Sequence, residues 1–138
     1  EPRAEVTGAA EIEQALSGGA DSSIDLTVNF PHDSADIEGK AHVQIYEIAT
    51  ALKSDSLRNM QIRIEGHTDN TGEDSYNMDL SYRRALSVLR ALTEEYEVDN
   101  AMLQVQGFGE TQPVASNETE AGRSLNRRVT LVNLGAAE

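Results

Sequence analysis

The fold is decided by residues 60–92, which read MQIRIEGHTDNTGEDSYNMDLSYRRALSVLRAL. Apolar residues alternate with polar ones from Met60 to Ile64, a period of two that is typical of a half-buried β-strand. A turn-rich segment, GHTDNTG, follows at 66–72. Apolar residues at helical spacing then predict a long helix over about 75–95. These residues are Ala85, Val88, Leu89, Leu92 and Tyr96.

The same reasoning extends to both sides of this stretch. Alternation from Ile24 to Phe30 predicts a first strand that Pro31 ends, and apolar spacing over 41–52 predicts a helix. Further strands are predicted at 103–105 and 129–132, with a polar loop from Glu110 to Asn126 between them. The order β-α-β-α-β-β predicts an α/β fold in the form of a two-layer α+β sandwich, with helices on one face of the sheet.

The composition alone excludes several classes of function. The chain has 138 residues, a net charge of −13 and no cysteine. Its length fits one domain, and the missing cysteines exclude disulfides, thiolate metal sites and a cysteine nucleophile. The acidic charge argues against nucleic acid or an anionic membrane surface as the main partner. No apolar run is long enough to form a membrane span.

The predicted domain covers residues 23–135. Residues 1–22 are rich in Ala, Gly, Ser and Glu, and we interpret them as a flexible acidic leader or linker with at most a short helical turn at 11–16. Residues 136–138 are a short C-terminal tail.

Polar residues are densest between Gly66 and Arg84, where the second strand ends and the long helix begins. Ligands of α/β sheets often lie at the carboxyl ends of strands. Asp69 could pair with an ammonium and Arg84 could hold a carboxylate, so the two would suit a zwitterionic ligand. The alternatives from spacing alone are a structural salt bridge between them or a plain capping loop.

A second polar cluster, NETEAGRSLNRR, covers residues 117–128. Arg127 and Arg128 precede a strand, so their side chains should point to opposite faces, one toward a pocket and one into the packing. Arg123 and Arg128 could instead brace the sheet edge against acids. Neither cluster supplies a set of metal ligands or a nucleophile with its base, so no enzyme, metal site or cofactor is predicted.

Three separated strings identify a family. GHTDNTG, YNMDLSYRRALSV and GFGETQPVASNETEAGRSLNRRV closely resemble the OmpA-like C-terminal domain of outer-membrane protein A, the peptidoglycan-associated lipoprotein and flagellar stator proteins. The resemblance covers about residues 24–134 and implies a mixed four-stranded sheet. It also implies noncovalent binding of peptidoglycan through the meso-diaminopimelate of its stem peptides, in the periplasm and tethered to the outer membrane by a segment outside this chain.

The family's motifs carry over to individual positions. The resemblance implies that Asp69 takes the ligand's ammonium and that Arg84 takes a carboxylate, with Arg83 on the helix surface. The remaining implied ligand-binding residues are Thr71, Asn77, Arg127 and Asp33. Two alternatives remain open, a protein-docking domain that binds other envelope proteins and a hydrolase of wall peptides.

Overall fold

The computed structural model describes residues 6–28 and 30–136. Eight principal elements follow one another along the chain. They are α1 (Ala9–Leu16), β1 (Ser23–Leu26), α2 (Lys40–Leu52), β2 (Met60–His67), α3 (Asp74–Glu95), β3 (Leu103–Gly109), α4 (Glu120–Asn126) and β4 (Val129–Ala136). A short 3₁₀ turn, Asn100–Met102, leads into β3.

The four strands form one mixed sheet in the order β1-β4-β2-β3. β2 and β3 are parallel and are joined by α3, whereas β4 lies antiparallel between β1 and β2. The predicted two-layer α/β fold with a mixed four-stranded sheet is therefore confirmed. The carboxyl ends of β2 and β3 meet at one edge, where the segment after His67 begins.

One face of the sheet is apolar and carries the core. Ile62, Ile64 and Leu131 are fully buried there and belong to the same cluster as side chains from α1, α2 and α3. The sheet and α3 approach closely where β2 ends, because a Cβ atom on Gly66 would overlap the carbonyl oxygen of Ser81. Glycine at this position thus brings the long helix directly over the end of β2.

The opposite face of the sheet is polar. Asp25, Thr130 and Glu65 lie side by side across β1, β4 and β2. The hydroxyl of Thr130 donates to Asp25 Oδ1 at 2.6 Å, and Arg63 pairs with Glu65 at 2.8 Å. Glu65 is buried, which is tolerated because Arg63 pairs with it, whereas Asp25 is exposed.

The N-terminal segment differs from the expected flexible leader. Residues 9–16 form the two-turn helix α1, whose Ile12 and Leu16 are fully buried. The buried side chain of Gln44 on α2 accepts from the backbone N–H of Thr7 and donates to its carbonyl, at 2.8 and 3.0 Å. Two apolar side chains and this amide therefore anchor the segment from Thr7 onward, while residues 1–5 lie outside the described part.

Two other elements differ from expectation. The predicted loop over 110–126 contains α4, which the side chain of Thr119 caps by accepting from the N–H of Gly122 at 3.0 Å. The helix shows no apolar period because its buried residues are Gly122 and Asn126. The first strand ends at Leu26, because β4 begins opposite that residue and offers no partner beyond it.

Candidate functional site

A cavity of about 360 Å³ lies where the segment after β2, the start of α3 and the segment after β1 converge. We call it the loop cavity. All six residues predicted to bind a ligand line it. They are Asp33, Asp69, Thr71, Asn77, Arg84 and Arg127. These residues lie up to 94 positions apart in the sequence, so it is the fold that brings them together.

Asp69 is held from two sides at the carboxyl end of β2. Its Oδ1 accepts from the backbone N–H of Thr71 at 2.8 Å, and its Oδ2 accepts from Nη1 of Arg127 at 2.6 Å. Burial would raise the pKa of this carboxyl group, since Asp69 is only 7% exposed. The Thr71 N–H and the Arg127 guanidinium outweigh burial and hold the pKa below its usual value. Asp69 is therefore ionised at neutral pH.

Arg127 bridges two carboxylates. Besides Asp69, it contacts Glu120 Oε2 through Nη2 at 2.6 Å. These contacts raise the pKa of Arg127, with Glu120 as the larger cause. Glu120 is the first residue of α4, so the helix that the sequence did not predict fixes the position of this guanidinium.

Arg84 is placed differently. Its Nε donates to the carbonyl of Ser34 at 2.9 Å, its Nη2 donates to that of Pro31 at 3.3 Å, and its Cζ lies 5.0 Å from the centroid of the Phe30 ring. Burial lowers its pKa. In residues 6–28 and 30–136, no carboxylate oxygen lies within 4 Å of this guanidinium. The predicted alternative of a salt bridge between Asp69 and Arg84 is therefore wrong.

Asn77 organises the loop and is 4% exposed. Its Nδ2 lies 3.0 Å from the carbonyl of Thr71 and 2.9 Å from Glu110 Oε1. It thereby joins the segment after β2 to the segment after β3. The exposed Asp33 also lines the cavity, adopts a left-handed backbone with φ of 54°, and places Oδ2 3.3 Å from His32 Nε2.

The other arginines occupy the positions that the sequence left open. Arg83 lies on the surface of α3 and pairs with Asp79 at 2.7 Å. Arg123 contacts Glu120 and the carbonyl of Asn117, and Arg128 is buried on the polar face of the sheet. Arg127 lines the loop cavity and Arg128 does not, although both line a second cavity beside it.

Sequence reasoning missed three contributors to the site, namely Glu110, Glu120 and Tyr76. Glu120 carried one local signal, because Thr119 precedes it and threonine is a common N-cap. Glu110 and Tyr76 carried none, since their roles depend on contacts with Asn77 and on lining the cavity.

None of the helices in the described ranges is both long and apolar enough to cross a bilayer.

Sequence comparison identifies known proteins that resemble this chain. The sequence model of the OmpA family matches residues 29–127. Outer membrane protein Omp38 of Acinetobacter baumannii is 43% identical over 109 residues, which are 79% of this chain and 30% of that protein. The chain thus spans about a third of the length of this relative.

Two solved structures share the fold. The peptidoglycan-associated lipoprotein from Burkholderia pseudomallei is 34% identical with a TM-score of 0.67, over 77% of this chain and 87% of that one. The cell wall anchor of the T6SS from Pseudomonas aeruginosa is 29% identical with a TM-score of 0.69, over 83% and 81%. From the matched range and these similarities, we conclude that the chain belongs to the OmpA family.

Proposed function

We propose that the chain binds peptidoglycan without cleaving it, by taking the meso-diaminopimelate of a stem peptide into the loop cavity. The observation that carries the proposal is that Asp69 and Arg84 line the same cavity without pairing with each other, and that Arg84 lacks a carboxylate partner in the described residues. A free diaminopimelate end carries one ammonium and one carboxylate on the same carbon, which are the two complementary charges.

Arg84 would bind the ligand's carboxylate. Its guanidinium is partly buried, its bonds go to two backbone carbonyls, and burial opposes its charge. A carboxylate at this point would supply the missing counter-charge, and charge-assisted hydrogen bonds of this kind contribute about 1.5–3 kcal/mol each. The Phe30 ring and the two carbonyls hold the guanidinium in place beforehand, so little side-chain entropy remains to be lost.

Asp69 would bind the ligand's ammonium. Its carboxylate stays ionised because its pKa is held below the usual value, and a carboxylate can accept more hydrogen bonds than the two it already has. Thr71 and Asn77 would fix the loop that presents it, Arg127 would orient its carboxylate, and Asp33 would close the opposite side of the cavity.

Such a site would attach its protein by many weak contacts. A few charge-assisted bonds, less the entropy of ordering a flexible stem peptide, give modest affinity at a single site. Repeated stem peptides on one polymer would still give firm attachment through avidity. This behaviour suits a tether between the wall and another part of the envelope. The names of two relatives, a peptidoglycan-associated lipoprotein and a cell wall anchor, support the same role.

We further propose a periplasmic location with attachment to the outer membrane through a segment outside this chain. The support is the printed name of the relative Omp38, an outer membrane protein. Binding of other envelope proteins on separate faces is compatible with this role.

Cosedimentation with insoluble, diaminopimelate-containing peptidoglycan tests the function. We expect Asp69→Ala and Arg84→Ala each to reduce the pelleted fraction strongly, with an affinity loss of at least about tenfold. Arg84→Lys should also lose binding, because lysine keeps the charge but not the planar two-point contact.

The matched control is Arg83→Ala, which removes the neighbouring arginine on the helix surface. It should pellet as well as the unchanged protein. Thermal unfolding of every variant separates loss of binding from loss of fold. Equal pelleting of the Asp69 and Arg84 variants, with the fold intact, would refute the site, and release of soluble wall fragments would favour a hydrolase.

A further inference from the structure

A second cavity, of about 320 Å³, lies beside the loop cavity. We call it the strand-end cavity because the ends of β2 and β4 and the residues that follow β1 line it. Arg84, Arg127 and His32 line both cavities, so the two are contiguous along these side chains. A ligand in the loop cavity could therefore extend a further group into the strand-end cavity.

The strand-end cavity is rich in positive charge. Arg84, Arg127 and Arg128 all line it, and the described residues on its wall include no aspartate or glutamate. Arg127 and Arg128 have acidic partners off this wall, whereas Arg84 has none within 4 Å in the described residues. In a chain with a net charge of −13, this is a local site that favours an anion.

Nδ1 of His67 is buried and has no hydrogen-bond partner, whereas Nε of Arg128, which also forms no hydrogen bond, faces Asp25 Oδ1 at 3.5 Å. Arg128 is 8% exposed and His67 is 3% exposed. Nε of Arg128 is a donor. His67 places Nε2 3.3 Å from Glu65 Oε1, and since a carboxylate only accepts, Nε2 carries the proton and Nδ1 is left as an acceptor. Both atoms are covered by the surrounding protein, so a ligand in the cavity would contact other atoms of these side chains.

The remaining wall is mixed in character. Val28, Phe30 and Val129 are apolar lining residues, and Thr27 and Ser124 add side chains with hydroxyl groups. A group that fits has a carboxylate for the guanidinium groups and methylenes for the apolar residues. An α-carboxylate beside an aliphatic side chain has this composition.

We propose that the strand-end cavity is a second carboxylate subsite, which binds a further carboxylate of the stem peptide whose diaminopimelate occupies the loop cavity. This inference rests on the proposed function. The nearest carboxylate outside that diaminopimelate is the α-carboxylate of the preceding D-glutamate in the stem peptide, and we assign it to this subsite.

The test introduces a charge at Ser124, a partly buried residue of α4 that lines the strand-end cavity but not the loop cavity. Ser124→Asp places a carboxylate on the wall, and Ser124→Asn is its uncharged match. Leu125→Asp adds the same charge one residue along, where the side chain is 59% exposed. Isothermal titration would measure free meso-diaminopimelate and the tripeptide L-Ala-γ-D-Glu-meso-diaminopimelate on each variant.

We expect the tripeptide to bind about tenfold more tightly than free diaminopimelate, as one added charge-assisted contact implies. Ser124→Asp should remove this advantage and leave binding of free diaminopimelate unchanged, while Ser124→Asn and Leu125→Asp retain it. A tripeptide with a carboxamide in place of the D-glutamate α-carboxylate should lose the advantage, whereas one with a C-terminal carboxamide should keep it, because free diaminopimelate already carries the second carboxylate.

The inference is overturned if Ser124→Asp leaves tripeptide binding unchanged, if it weakens both ligands equally, or if the D-glutamate carboxamide binds as tightly as the tripeptide. Failure of free diaminopimelate and tripeptide alike to bind the unchanged protein would refute the proposed function, and the subsite with it. Binding of free diaminopimelate with no advantage for the tripeptide would refute the subsite alone.

Discussion

Arg127 and Arg128 are consecutive in the chain, yet the fold uses them in opposite ways. The side chain of Arg127 is 39% exposed and joins Asp69 to Glu120 on the wall of the loop cavity. The side chain of Arg128 is 7% exposed and lies on the polar face of the sheet, 3.5 Å from Asp25. Arg127 is the C-cap residue of α4 and Arg128 immediately precedes β4, so the same residue type lines the loop cavity at one position and attaches the segment after β3 to the sheet at the next.

The largest expected effect is on stability, from Arg128→Ala. Arg128 donates to the carbonyls of Asn126 and Gln112, at 3.2 and 3.0 Å, and so attaches the segment after β3 to the sheet. Its removal leaves these acceptors without a donor, and we expect the free energy of unfolding to fall by about 3 kcal/mol. Urea unfolding measures this. A loss below about 1 kcal/mol would show that Arg128 behaves like an exposed residue.

Arg127→Ala should affect wall binding more than stability, the reverse of what we expect for Arg128→Ala. Because Arg127 is partly exposed, we expect its loss to lower the free energy of unfolding by only about 1 kcal/mol. Wall binding should weaken about tenfold, since Asp69 then loses the contact that orients its carboxylate. Arg123→Ala is the control, because Arg123 also contacts Glu120 but does not line the loop cavity. Wall binding retained by Arg127→Ala but lost by Arg123→Ala would contradict the assignment.

As the pH falls, we expect the free energy of unfolding to decrease first through His67, which lies near Arg128, and only later through Asp69, which pairs with Arg127. Burial, with the nearby Arg128 guanidinium, lowers the pKa of His67 below 6.5. The unfolded chain therefore takes up a proton that the folded chain resists, and stability falls as the pH drops below about 6.5. The pKa of Asp69 is lowered from 3.8, so its contribution is lost only below that pH.

Unfolding free energies measured between pH 7 and pH 3 check this order. His67→Gln should flatten the decline between pH 6.5 and pH 5, and Asp69→Asn should flatten only the most acidic part. An unchanged pH profile for His67→Gln would show that this imidazole does not resist protonation in the folded chain.

Periodicity was enough to predict β2, α2 and α3, because each buries a regular apolar stripe. It could not predict α1, whose burial depends on contacts with α2 and β4, nor α4, whose buried positions are a glycine and an asparagine. The six candidate ligand residues came from family motifs and share one cavity. The Asp69–Arg127 contact joins residues 58 positions apart, and the strand-end cavity exists only where two strands and α4 meet, so spacing could reveal neither.

The central claim is that Arg84 binds a carboxylate of diaminopimelate opposite Asp69, and one calorimetric measurement tests it most directly. The ligands are two stem tripeptides that differ only in the third residue, meso-diaminopimelate or L-lysine. Lysine lacks the second carboxylate but keeps the ammonium. We predict that the unchanged protein binds the diaminopimelate peptide at least about tenfold more tightly and that Arg84→Ala removes the difference. Equal affinity of the unchanged protein for the two peptides would contradict the account.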